Sequence, residues 1–285
     1  MKIGSKFLWT GIVSVAFATG LGITPVLAEL SEVGPTSAET GNFPQWYKDS
    51  NGLQLDLCLA GSIDRPNPPN YCLTEPPDQT KAPYVDNDNP AESNFPDEAF
   101  WWTAEARLAR NNGSASLVLA TEAAFANEEV IDGDQMVFNR TRIRAQGLGM
   151  VNGRRYRVTY PYGQETLTAT QKDRRKPVEI SFNQDFGCVV TATTECNFRD
   201  VLAPTGNRGR TKNLVGRPWL VWDPAVAPAA PPGYVGDPNV DHTITGSPTG
   251  NNVFRIEELD SSGNPVRTIA QTNLFSVSGK ISGSN

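Results

Sequence analysis

Arg140, Arg142 and Arg144 occupy alternate positions. On a β-strand such residues project from one face, about 7 Å apart. Arg155 and Arg157 repeat the spacing, and Lys172, Arg174, Arg175 and Lys176 follow. Guanidinium forks match carboxylate or sulfate oxygens in pairs. These arginines are therefore candidate binding residues for an anionic polysaccharide or an acidic protein surface, including that of another copy of the chain. The competing account is cross-strand pairing with local Glu and Asp. Trp101 lies between Phe100 and Trp102 and offers a ring for sugar stacking. Successive strand residues point to opposite faces. Trp101 and Trp102 are thus expected not to share a core, one of them being covered by the N-terminal segment or exposed for binding.

Other chemistries are narrowed by what the chain holds. His242 is the single histidine. A Ser-His-Asp triad needs a base, usually His, and H-E-x-x-H zinc sites or blue-copper centres need two. His242 lies in a polar stretch and reads as a surface hydrogen-bonder. Paired carboxylates remain open for glycoside hydrolysis, with Glu105, Glu122, Glu165, Glu257 and Glu258 as candidates, though no spacing selects a pair. Asp86 and Asp88, in an Asp-Asn-Asp-Asn-Pro loop, offer the hard oxygen ligands that suit calcium. Asx-turns account for the same residues, and no other cofactor is expected. Asn112-Gly113-Ser114 and Asn139-Arg140-Thr141 are formal glycosylation acceptors. Cys58 with Cys72 and Cys188 with Cys196 would close two short loops. The chain-entropy account gives each about 2.5–3 kcal/mol of stabilisation. Zinc is disfavoured because no C-x-x-C occurs.

The elements that must hold these residues are short, alternating segments. Residues 53–59 alternate strictly and predict a half-buried strand. Residues 98–110 contain good helix formers, yet Asn111-Asn112-Gly113-Ser114 is a tight-turn signal. Read with period two, Phe100, Trp102, Ala104, Ala106 and Leu108 share a face, as do Leu117, Leu119, Thr121, Ala123 and Phe125. The expectation is a long hairpin. Further strands are predicted at 135–144, 156–160, 166–170, 178–182, 218–222, 243–244, 252–259 and within 268–281. Residues 224–232, rich in Pro and Ala, should wrap the outside as extended chain. Many short strands with Gly/Pro turns and no βαβ alternation predict an all-β, antiparallel sandwich or jelly roll. It spans 97–285, behind a loop-rich, disulfide-closed N-terminal appendage at 29–96.

Residues 1–28 read as a signal peptide. Lys2 and Lys6 precede an apolar run, and Val26-Leu27-Ala28 fits a cleavage site. The mature protein is then secreted, periplasmic or at the cell surface, without a membrane anchor, and the cysteines are in disulfide-permissive surroundings. Charge is uneven. Residues 29–135 carry 19 acids against 5 bases, while 136–180 carry 3 acids against 10 bases. Nucleic acid is not an expected partner, because the chain is acidic overall, at −6, and lacks a recognition motif.

Phe43-Pro44-Gln45-Trp46-Tyr47-Lys48-Asp49-Ser50-Asn51-Gly52-Leu53 and Gly236-Asp237-Pro238-Asn239-Val240-Asp241-His242-Thr243 resemble strings of uncharacterised exported bacterial β-rich proteins. The resemblance implies no activity and no site residue. The residues themselves point to a non-enzymatic binding or assembly protein at the cell exterior. The alternatives are a carboxylate-based carbohydrate-active enzyme or a structural envelope or matrix subunit.

Overall fold

The computed structural model describes residues 30–59, 71–188, 196–202 and 218–283. The expected leader at 1–28 lies outside the described residues. In chain order the strands begin with β1 (Leu30–Val33), β2 (Trp46–Asp49) and β3 (Gln54–Asp56). Five longer ones follow: β4 (Glu98–Arg110), β5 (Gly113–Phe125), β6 (Gln135–Gly147), β7 (Arg155–Tyr160) and β8 (Gly163–Thr168). Then come β9 (Glu179–Gly187), β10 (Val221–Trp222), β11 (His242–Thr245) and β12 (Phe254–Leu259). β13 (Pro265–Thr272), β14 (Leu274–Ser278) and β15 (Lys280–Ile281) close the series. They form three antiparallel sheets. One has seven strands in the order β10-β11-β14-β4-β5-β6-β9, and two have four, β13-β12-β7-β8 and β1-β2-β3-β15. The fold is thus an all-β antiparallel sandwich, as its alternation requires.

The hairpin β4–β5 is the spine. Asn111-Asn112 makes its two-residue turn, with Arg110 opposite Gly113. Gly113 is at φ +153, and a Cβ on it would meet the carbonyl oxygen of Gln146 at 2.2 Å. A side chain is therefore excluded where β5 meets β6. The helix formers of β4 yield to this pairing, since intrinsic propensity is weak beside tertiary context.

Strict alternation fails at one point. Phe100 faces Glu122 and Trp102 faces Thr121, so Trp101 is an extra, bulged residue. A bulge inserts one residue and resets which face its neighbours occupy. Both indoles consequently enter one continuous core, each 0% exposed. This corrects the expectation that the two tryptophans could not share a core. Trp101 sits edge-on to Tyr47 at 4.8 Å and donates its Nε1–H to Pro44 O at 3.0 Å. Trp102 packs on Tyr162 and Trp219 and donates to Leu220 O at 2.9 Å.

The same shift moves Phe100 to the opposite face from Trp102. The inner face of the large sheet then presents Ala99, Trp102, Ala104, Ala106, Leu117, Leu119, Val137 and Ile143. They join Tyr156, Val158, Phe254 and Ile256 from the second sheet and Tyr47 and Leu55 from the third. The chain on either side of residue 96 is knit together. Cys58 bridges Phe100, β15 pairs with β3, and the Ser278 hydroxyl donates to Tyr71 O at 2.8 Å. Disulfides join Cys58 to Cys72 and Cys188 to Cys196.

Candidate functional site: a groove on the outer face

The outer face of the large sheet is a grid fixed by register. Thr103, Ala120, Arg140 and Asp185 make one row across β4, β5, β6 and β9. Glu105, Val118, Arg142 and Asn183 make the next, and Arg107, Ser116, Arg144 and Ser181 a third. The three arginines of β6 do share this face, but their surroundings differ. Arg140 has a side chain only 15% exposed. Its Nε and Nη2 fork onto the Asp185 carboxylate at 2.9 and 3.2 Å, and its Nη1 donates to Glu122 at 2.9 Å. The guanidinium carbon lies 4.8 Å from the centre of the Phe138 ring. Arg140 is therefore an internal strut between strands, which removes it from any open binding surface. Arg142 is half-buried and donates to Asn183 Oδ1 at 3.2 Å. Arg144 is exposed, and among the described residues its side chain makes no ion pair or hydrogen bond.

Around Arg144 lies a groove of about 470 Å³. Ser114 and Ser116 of β5 lie on its floor, Arg107 and Arg144 stand on the flanking strands, Gln146, Lys172, Glu179 and Ser181 are its other polar members, and apolar residues such as Leu108, Ala115 and Ile180 lie between them. Arg107 Nε donates to Glu105 at 3.0 Å, and Lys172 pairs with Glu179 at 2.6 Å. Arg107 and Arg144 sit two strand spacings apart, about 10 Å at the backbone, with only a serine between. Small residues between two long cationic ones leave room for both forks to converge on one anionic group. Arg107 and Lys172 are about three-quarters exposed. Sequence reading missed Arg107 because its link to Arg144 runs through the hairpin register. The signal was present, since it lies four residues before Asn111, where the Asn-Asn turn begins.

Arg155 and Arg157 belong to the second sheet and are not brought to this groove. Arg155 donates to Asp260 O and Ser261 O at 3.1 and 2.9 Å. Arg157 and Arg255 lie 3.4 and 3.3 Å from the same Glu257 oxygen. Trp101 is fully buried beneath Tyr47 and Phe43, so no face of it is open to a sugar. This corrects its candidacy as a stacking residue. The Asp86 carboxylate accepts the backbone N–H groups of Asp88 and Asn89, both at 3.0 Å, forming an Asx-type cap. Among the described residues no group of three or more His, Cys, Asp or Glu could hold a metal ion. His242 is not a surface residue. It is 5% exposed, its ring stacks on Trp222 at 4.4 Å, and its Nδ1 lies 2.8 Å from Thr243 O. Asn139 is buried and accepts from the Thr121 hydroxyl at 2.7 Å, so that glycosylation acceptor is closed off.

The carboxylates divide similarly. Glu258 accepts from Arg154 and Arg267 at 2.9 and 2.7 Å, and Glu105 is paired with Arg107. Glu165 lies 3.5 Å from the Tyr160 hydroxyl. Glu122 is the buried one, with a side chain 2% exposed. Burial pushes its pKa up from 4.5 to about 8, against the pull of Arg140 and with help from Glu98 and Asp185.

Comparison of the chain with protein-family models, with curated proteins and with solved structures gives no match. The two disulfides suit an oxidising, non-cytoplasmic compartment. Among the described residues no helix is long and apolar enough to cross a membrane.

Proposed function

We propose that this protein is a non-enzymatic, exported binding protein that holds an anionic polysaccharide in the Arg107–Ser116–Arg144 groove at the cell exterior. The observation that carries this reading is the exposed Arg144 guanidinium, unpaired among the described residues and set opposite Arg107 over a serine floor. Arginine forks take carboxylate or sulfate oxygens in pairs, and Ser114, Ser116 and Ser181 add hydroxyl donors. The exposed basic run of Lys172, Arg174, Arg175 and Lys176 extends the positive field beyond the rim. Binding would be electrostatic, and so weakened by salt as the screening length shrinks.

The test is titration of the purified protein with polygalacturonate by calorimetry, over rising ionic strength. Binding at low salt should weaken steeply as salt is added. Arg144→Gln removes one charge-assisted pair, so its affinity should fall about tenfold or more. Arg144→Gln binding as tightly as the parent protein would overturn the assignment. Binding instead to the acidic protein itself, seen as self-association that the same substitution abolishes, would replace the glycan with a second copy.

A further inference from the structure

A second cavity, of about 320 Å³, adjoins the first on the same outer face. Arg107 belongs to the walls of both, so the two lie side by side across the strands with its side chain at their common border. From Ser181 on β9 to Ser276 on β14 the path crosses four strand spacings, about 19 Å. The lining changes character along it. The first cavity has Arg107, Arg144 and Lys172 against Glu179 alone. The second has Glu105 and Asp241 against Arg107, with Thr103, Ser276 and Asn239 beside them and Leu73 and Pro238 as apolar walls. Glu105 and Arg107 satisfy each other. Asp241 is exposed and has no ion pair or hydrogen bond among the described residues, and Leu73 is 46% exposed.

Such a lining repels an anionic group and suits an uncharged, hydroxylated one. A carboxylate accepts hydrogen bonds from hydroxyls, and the amide and hydroxyl side chains both donate and accept. An apolar wall covers the C–H face of a ring. The volume lies at the small end of ligand sites, roughly 300–1,000 Å³, which fits one ring. We infer that this cavity is a subsite for a neutral sugar unit adjoining the acidic unit held at Arg144. The natural ligand is then a mixed polysaccharide in which charged and uncharged units adjoin, not a homopolymer of acidic units. This inference rests on the groove reading above and adds the composition of the ligand to it.

The test compares two polymers of similar length by calorimetry at low salt. One is polygalacturonate, in which every unit is charged, and the other is hyaluronate, in which acidic and uncharged units alternate. The parent protein should bind hyaluronate about tenfold tighter per site, the worth of roughly one hydrogen bond to a charged group. Asp241→Ala should bring the two affinities close to parity, weakening hyaluronate by the lost hydrogen bonds and strengthening polygalacturonate by the lost repulsion. Leu73→Ser, at an exposed position, should narrow the ratio in the same direction. Equal affinities in the parent protein, or a ratio unmoved by both substitutions, would overturn the subsite and leave the Arg144 groove standing. Failure of both polymers to bind would overturn the groove and the subsite together.

Discussion

Glu122 gives the sharpest test of the electrostatics. Its carboxyl is buried on the outer face, beside Glu98 of β4, Arg140 of β6 and Asp185 of β9. Asp185 already matches the single guanidinium through two hydrogen bonds. A charge on Glu122 would therefore be a further negative charge out of water. This is why its pKa rises from 4.5 to about 8. Between these values the folded protein keeps a proton that the unfolded chain releases. The stabilisation is fully present below the unfolded value and is lost as pH rises through the folded one. At about 1.4 kcal/mol per unit, the full loss is roughly 4–5 kcal/mol. Urea unfolding of the parent protein and of Glu122→Gln at pH 5, 7 and 9 reads it directly. Glutamine mimics the protonated acid, so the two proteins should be of similar stability at pH 5. At pH 9 the variant should be the more stable by several kcal/mol. Burial also raises Asp49 and Glu165, so the variant keeps a residual slope and the difference between the two proteins isolates Glu122. Parallel stability curves from pH 5 to 9 would refute the reasoning.

Four further outcomes follow from the packing. Arg140→Gln leaves Asp185 without its cation and the Glu122 carboxyl without its donor, and should cost about 1.5–3 kcal/mol in chemical unfolding at pH 7. Arg144→Gln, at an exposed position, should stay within about 0.5 kcal/mol of the parent, and equal losses would contradict the distinction between strut and surface. Asp49 accepts backbone N–H groups of Asn51 and Leu53, both at 2.9 Å, and of Trp219 at 3.1 Å, tying β2 to the segment that leads into β10. Asp49→Ala should cost about 2–4 kcal/mol, by leaving buried donors unpaired, and a melting temperature within a degree of the parent would contradict this. Trp101→Ala should lower stability by about 3–5 kcal/mol through the cavity it leaves, and binding of anionic polymers by any folded fraction should be unchanged.

Local patterns carried the reading furthest where the physics is local. The Asn111-Asn112 turn, with glycine next to it, was legible because Asn and Gly favour tight turns wherever they occur. The alternation of Arg140, Arg142 and Arg144 correctly put them on one face. What no local pattern holds is the neighbour strand. Asp185 and Asn183 reach Arg140 and Arg142 only because β9 pairs with β6 across some forty residues, which turns part of a surface stripe into internal struts. The bulge at Trp101 was equally hidden, since one unpaired residue leaves the composition of β4 untouched while reversing its faces. His242 was misread for a related reason. Its polar neighbours suggest a loop, but pairing with Phe275 turns the ring inward onto Trp222.

The pairing of β15 with β3 sets an order on events. Leu55 meets Ile281, so the sheet begun near one extremity of the described chain is finished only by residues near the other. Contacts of such long span make for slow folding, because loop closure precedes any gain from the pairing. A chain synthesised from its N-terminus must wait for Lys280 and Ile281 before β3 gains its second neighbour, and until then that strand margin lies open to other chains.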